Sequence, residues 1–191
     1  MKLILASTSP YRKEQLQRLG LPFDQQDPQV DEDELKQSGL TPADLAEQLA
    51  LEKAKQVQQR FPDALVIGGD QLVSFNDTIL GKPGSTDRAI KQLMQLQGQT
   101  HELITAIAVL GPNFHKTHVN HTFLTMRSLD EAAITRYVEF DQPTNCAGAY
   151  KLESRGITLF ETIQSPDHSA ITGLPLIELT SLLVNAGVTI P

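Results

Sequence analysis

Four places in the chain carry side chains able to act on an anion or on a water. The first is Ser7-Thr8-Ser9-Pro10-Tyr11-Arg12. Ser9 is a good helix N-cap and Pro10 a good first helical residue. The unpaired N–H groups of a helix start, three hydroxyls and a guanidinium therefore meet at one spot, which suits phosphate. The Gly-x-x-x-x-Gly-Lys run of a Walker A loop is not there, and an ordinary capped helix is the plainer alternative. The second place is Asp31-Glu32-Asp33-Glu34, either a solvated face or a source of oxygen ligands for a hard divalent cation. The third is Ile67-Gly68-Gly69-Asp70-Gln71. Paired glycines at a strand end let a ligand approach the backbone, and a carboxylate at that edge is a frequent place for catalysis in α/β proteins. A turn aspartate is the alternative. The fourth is Gly81-Lys82-Pro83, a rigid exposed loop from which a lysine can reach a phosphate.

The elements that must hold these groups follow from hydrophobic periodicity. Leu3 to Ala6 reads as a buried strand and Pro10 to Leu19 as a helix stopped by Gly20. Phe23 to Val30 is extended. Thr41-Pro42-Ala43-Asp44 opens a helix that runs to Gln59, with Leu45, Leu49, Ala50, Ala54 and Val57 as its buried stripe. Lys53 lies on or beside that stripe, where a lysine usually reaches out to water. Ala64 to Phe75 is a strand and Asn76-Asp77 a hairpin turn. Thr86 to Leu96 is a helix, Glu102 to Leu110 and Phe114 to Met126 are strands. Ser128 caps a helix from about Asp130 to Phe140, Ile157 to Ile163 is a strand, Ser165 to His168 a turn, and the last helix opens at Gly173-Leu174-Pro175-Leu176 and ends at Gly187. His115, His118 and His121 alternate across a strand, so one metal site cannot easily use all three. Strands that alternate with helices, hairpins included, imply an α/β fold with a mixed sheet and helices on its faces.

The chain has 191 residues and a net charge of −7. That length fits a single domain with a real core, here taken as 1–191. A diffuse acidic surface disfavours nucleic acid polymers and anionic membranes as partners, though not a small anion held in a local basic pocket. The single cysteine, Cys146, excludes an intramolecular disulfide and a cysteine-rich zinc site. Only four apolar residues stand between Lys2 and Ser7, too few for a signal peptide, and no run is long enough for a membrane span. The expectation is a cytoplasmic protein.

Together the motifs resemble one family, the Maf-like nucleotide pyrophosphatases. The resemblance runs through Leu5 to Arg12, Asp31-Glu32, Leu49 with Glu52-Lys53-Ala54, Ile67 to Asp70, Gly81-Lys82-Pro83, Ala147-Gly148-Ala149-Tyr150 and Gly173 to Leu176, in the family's order. It implies a long mixed β-sheet flanked by helices, shared with inosine triphosphate pyrophosphatases, with a nucleotide cleft between two lobes. It implies hydrolysis of a nucleoside triphosphate to monophosphate and pyrophosphate with a divalent metal cation (Mg²⁺, Mn²⁺ or Co²⁺), and it suggests a homodimer. The family's functional positions fall on Ser7, Arg12, Lys53 and Lys82 for the triphosphate, Glu32 and Asp70 for the metal, and Asp70 as the general base.

This sequence departs from the commoner family pattern where the base would be read. Tyr11 replaces an arginine, Gln71 a threonine and Glu153 a glutamine, and Asn145-Cys146 stands for Asp-Lys. The commoner set goes with dTTP and UTP pyrophosphatases, while this one resembles the subgroup acting on 7-methyl-GTP. The chemistry agrees. Methylation at N7 makes guanine cationic, and a cation stacks on an aromatic face but is repelled by arginine. Guanine's N1–H and N2–H₂ both donate, which a carboxylate accepts better than an amide. Alternatives are a dTTP/UTP pyrophosphatase, or a non-catalytic nucleotide-binding regulator of septum formation.

Overall fold

The computed structural model describes residues 2–190. Its strands are β1 (Leu3–Ala6), β2 (Asp24–Gln26), β3 (Leu65–Phe75), β4 (Thr78–Leu80), β5 (Thr100–Gly111), β6 (Phe114–Met126) and β7 (Phe160–Gln164). Its helices are α1 (Pro10–Gln17), α2 (Asp33–Lys36), α3 (Pro42–Arg60), α4 (Thr86–Leu96), α5 (Glu131–Asp141) and α6 (Leu176–Asn185). The strands form one mixed sheet in the order β2-β1-β3-β5-β6-β7, with β4 paired to β3. β1 runs parallel to β2 and β3, whereas β4 lies antiparallel to β3 and β7 antiparallel to β6. The expected α/β fold with a mixed sheet is therefore present. Among the described residues no helix is long and apolar enough to cross a membrane.

The chain divides into two compact units, each assembled from separated segments. The first comprises Met1–Gln71, Thr105–Asn120 and Asp167–Pro191. Its core joins Leu3, Leu5, Ile67, Ile107 and Val109 of the strands to Leu16 of α1 and to Leu179 and Leu183 of α6. The caps read in the sequence operate. Ser9 Oγ accepts the Arg12 N–H at 3.4 Å, and Thr41 Oγ1 accepts that of Asp44 at 3.2 Å. α3 buries its expected stripe. It packs tightly on β3 at Gly68, where a Cβ would stand 2.1 Å from the Ala50 carbonyl oxygen. A side chain there would drive helix and strand apart.

The second unit comprises Leu72–Ile104 and His121–Pro166. Asn76 and Asp77 both take positive φ, 49° and 59°, as a two-residue hairpin turn of the right twist requires. α4 and α5 pack on one another. Some boundaries differ from the sequence expectation, in this unit and outside it. Asp130, not Ser128, caps α5, its carboxylate accepting the Ala133 N–H at 2.7 Å. The segment from Ile157 is not strand until Phe160, because Ser154 and Gly156 both donate back to the Lys151 carbonyl and coil it into a 3-10 turn. The last helix starts at Leu176, since Gly173 has φ +119° and Pro175 lies outside helical geometry.

His101 is buried in this unit against Tyr150 and Phe160, with ring centroids at 5.4 and 5.8 Å. Its Nε2 meets the Tyr150 hydroxyl at 3.1 Å and its Nδ1 has no hydrogen-bond partner among the described residues. Burial holds the imidazole neutral and lowers its pKa from 6.5 to about 4. An unfolded chain binds this proton below 6.5, the folded one only near 4. The stability His101 confers is therefore complete above pH 6.5 and is lost as pH falls toward 4, by about 3 kcal/mol at most. Urea denaturation between pH 7.5 and 4 should show His101→Phe losing less stability than the parent over that window. Parallel curves would remove His101 as the cause.

Candidate active site

The groups singled out in the sequence sort cleanly between the units. Ser7, Tyr11, Arg12, Glu32, Lys53, Asp70 and Gln71 belong to the first, Lys82 and Glu153 to the second.

In the first unit β3 delivers Asp70 and the facing helix α3 delivers Lys53, whose Nζ donates to Asp70 Oδ1 at 2.6 Å. The same ammonium pairs with Glu32 Oε1 at 2.7 Å, and Glu32 Oε2 pairs with Lys36 at 2.7 Å. These groups differ in exposure. The Lys53 and Asp70 side chains are 12% and 9% exposed, Glu32 30%. Burial favours raising the Glu32 carboxyl, but hydrogen bonds from Lys36 and Lys53 and their charges outweigh it and hold its pKa down at about 2. Asp70 behaves oppositely. Burial raises its pKa, and the opposing charges of Lys53 and Arg12 do not cancel that. Its second oxygen, Oδ2, is buried and has no hydrogen-bond partner among the described residues. A buried carboxylate oxygen left unmatched is costly.

Arg12 sits in the first turn of α1. Its Nε donates to the Gly173 carbonyl at 3.1 Å and a terminal nitrogen donates to Ser7 Oγ at 3.4 Å. Ser7 Oγ also accepts the Ser9 N–H at 3.2 Å. Burial lowers the Arg12 pKa while Asp70 and Glu32 act to raise it, so these carboxylates and this guanidinium share one electrostatic field. Gly69 and Gly173 line the arginine: a Cβ on either would approach Nε at 3.4 Å. The glycine pair expected to admit a ligand thus does two other jobs, Gly68 admitting α3 and Gly69 admitting Arg12. Tyr11, on the same turn, is 45% exposed.

Gln71 is tethered. Its amide nitrogen faces Thr105 Oγ1 at 2.9 Å and the carbonyls of Ala170 and Ile171 at 2.9 and 3.2 Å. Its side-chain oxygen is the remaining group for any ligand. The turn over His168–Thr172, which the sequence reading of a turn at Ser165 to His168 reached only at its first residue, is the hub for this tether and, through Gly173, for Arg12. It is held by Asp167 Oδ1, which accepts both the N–H and hydroxyl of Ser169 at 2.9 and 2.6 Å, and by Gln15, which donates to the Ser169 carbonyl at 2.6 Å and to the Thr172 hydroxyl. Asp167-x-Ser169 is a capping pattern and was the one sequence signal for it.

In the second unit Lys82 is exposed on its loop, which Gln92 anchors by donating to the Gly81 carbonyl at 2.9 Å. Gly84 donates to the Thr144 carbonyl at 2.9 Å. Glu153 is exposed on the turn after Tyr150. Both charges act on the Cys146 thiol. Burial raises that thiol's pKa, Lys151 and Lys82 act to lower it and Glu153 to raise it. A half-buried thiol pushed up is a weak nucleophile. Among the described residues no group of three or more His, Cys, Asp or Glu side chains could hold a metal, the β6 histidines included.

A buried carboxylate with one open oxygen, the Lys53 and Arg12 cations and a hydroxyl-capped helix start thus all belong to the first unit. The Maf-like protein family model matches residues 2–186, and the chain belongs to that family. A 7-methyl-GTP pyrophosphatase of Bdellovibrio bacteriovorus is 50% identical over 97% of this chain and 97% of its own. Another, of a Polaromonas species, is 46% identical over 98% of this chain and 86% of its own. A third, of Pseudomonas aeruginosa, is 41% identical over 99% and 98%.

Proposed function

We propose that this protein hydrolyses 7-methyl-GTP to 7-methyl-GMP and pyrophosphate in the cytoplasm, removing a modified nucleotide from the pool. The observation that carries the reaction is the Asp70 carboxylate, buried beside two cations with Oδ2 open. What supports the substrate is Tyr11, Gln71 and Glu153 standing where the pyrimidine enzymes differ, together with the names of the relatives.

The chemistry is cleavage between the α and β phosphates by water. Asp70 takes the water's proton. A carboxyl raised by burial is a better base near neutral pH than an ordinary one. Arg12 and Lys53 neutralise the charge that grows on the phosphoryl oxygens, and their fixed positions save reorganisation. Ser7 orients the Arg12 guanidinium. Lys82 takes a further phosphate. Glu32 and Asp70 would hold a divalent cation: both carboxylates pair with the Lys53 ammonium, Asp70 Oδ2 is open, and Mg²⁺ or Mn²⁺ needs only one or two carboxylates when phosphates and waters complete its shell. When bound, the ion supplies Lewis-acid charge neutralisation to the phosphates. Tyr11 stacks on the cationic base, Glu153 accepts from N1–H and N2–H₂, and the Gln71 oxygen adds a polar contact.

The test is pyrophosphate release from 7-methyl-GTP, GTP, dTTP and UTP with Mg²⁺, Mn²⁺ or Co²⁺. 7-methyl-GTP should have the highest kcat/KM. Tyr11→Arg should reduce it about 5- to 150-fold, the range that base stacking is worth, and leave UTP nearly unchanged. A pyrimidine preference in the parent protein sinks the substrate assignment, and no pyrophosphate from any triphosphate sinks the enzyme.

A further inference from the structure

Glu153 makes no hydrogen bond or ion pair of its own among the described residues, yet both sides of its turn are bonded to one place. That place is the last turn of α5. Tyr137 Oη accepts the Lys151 N–H at 2.9 Å. The Asp141 carboxylate takes two donors from beyond Glu153: the Ser154 hydroxyl on Oδ1 and the Arg155 N–H on Oδ2, each at 3.1 Å. The Asp141 backbone carbonyl accepts the Lys151 ammonium at 2.7 Å. Tyr137 and Asp141 are buried, each 7% exposed, and sit at i and i+4 on one helix face. Phe140, beside them, carries the Arg155 guanidinium on its ring. A buried aspartate accepting a hydroxyl and a backbone N–H from an otherwise irregular turn fixes that turn's backbone, and the fixed backbone determines where an exposed side chain can reach.

We infer that Asp141 is a positioning residue for substrate selection: by clamping Ser154 and Arg155 it sets where the Glu153 carboxylate stands. The inference rests on the reading of Glu153 as the group that accepts from guanine. Asp141 touches no substrate in this account. Its effect passes wholly through Glu153, so it bears on which base is accepted and not on the chemistry at Asp70. The sequence holds no sign of this role, because Asp141 closes an ordinary amphipathic helix and only the fold brings it to the turn.

Five proteins test it: the parent, Asp141→Asn, Glu153→Gln, their double variant and Ser154→Ala. Each is assayed on 7-methyl-GTP and UTP, with thermal unfolding run alongside. Asparagine keeps the volume but turns an NH₂ toward one of two donors, so the clamp opens on one side. Asp141→Asn should lower kcat/KM for 7-methyl-GTP about tenfold, through KM, and leave UTP within about twofold, because base contacts discriminate between substrates. In the Glu153→Gln background it should change the selectivity ratio no further, as two residues acting in series are not additive. Ser154→Ala, which removes one donor and strands no charge, should shift the same ratio in the same direction by less. An equal loss for both substrates, or a full extra loss in the double variant, overturns the inference. So does an unchanged ratio in Asp141→Asn and Ser154→Ala while Glu153→Gln alters it, and that result leaves the base-reader role of Glu153 standing. If Glu153→Gln itself leaves the ratio unchanged, the base-reader role fails and the inference with it.

Discussion

Asp70→Asn should lower kcat for triphosphate hydrolysis about 10²- to 10⁴-fold, the range a positioned base contributes. Asparagine has the same shape and can still accept from Lys53, so nucleotide binding should persist and the loss should fall on kcat. The pH profile separates a base from a mere spacer. Burial raises the Asp70 pKa above the ordinary carboxylate value, so the acidic limb of the parent's kcat profile should lie above that value and be missing in the variant. Stability supplies a second check. A carboxyl whose folded pKa is raised contributes most below its unfolded pKa and loses that contribution as pH rises through the folded one. At pH 7 the charged Asp70 therefore costs stability, and the melting temperature of Asp70→Asn should not fall. A variant that keeps a tenth of the parent's kcat removes Asp70 from the base role.

Gly68→Ala should be the most damaging single methyl in the first unit. The new Cβ would lie 2.1 Å from the Ala50 carbonyl and 2.9 Å from Ala54, both belonging to α3. Backbone on one side and a buried strand on the other leave neither free to yield. Overpacking of this kind costs typically 1–3 kcal/mol and occasionally more, and contact with backbone places this case at about 3. For a chain of this size that is a fall of roughly 6–12 °C in Tm. Activity should fall in the fraction that stays folded, because Lys53 rides on the displaced helix and its 2.6 Å contact with Asp70 opens. Gly81→Ala, with nothing within 4 Å of its Cβ, is the stability control and should melt with the parent. If the two substitutions melt alike, close packing of α3 on β3 does not fix the site.

Much of this was legible in the chain because the signals were local. Helix starts at Ser9, Thr41 and Asp130 depend on a side chain reaching its own backbone three residues on. The first two were read correctly, and the third was placed two residues early because Ser128 and Asp130 carry the same capping chemistry. The mixed sheet followed from the alternation of strands, helices and hairpins. What stayed hidden needed contacts distant in sequence. Nothing near Asp70 announces that its open oxygen is buried, or that Lys53 divides itself between Asp70 and Glu32. The two glycines were read as room for a ligand, although their neighbours in space are a helix and an arginine. Nothing beside Gln71 announces that the turn at His168–Thr172, a hundred residues away, takes up its amide nitrogen and leaves only its oxygen for a ligand. The segment from Ile157 read as strand on its apolar residues, and the hydrogen bonds returning to Lys151 override that preference.

The first unit draws on the beginning, middle and end of the chain, and this shapes how the protein is born. A ribosome delivers Asp70, Lys53 and Arg12 early and Gly173 late, and the bond from Arg12 to Gly173 joins residues 161 positions apart. The tie from Gln15 to Ser169 spans 154. Until the segment from Asp167 emerges, the arginine has no carbonyl to lock against and Gln71 no tether, while every segment of the second unit has already been made. Contacts this far apart also slow folding, since their loops must close before they gain anything. A nascent chain of this protein therefore carries Asp70, Lys53, Arg12 and Ser7 for most of translation before the carbonyls of Ser169 and Gly173, which hold Gln15 and Arg12 in the folded protein, have been made.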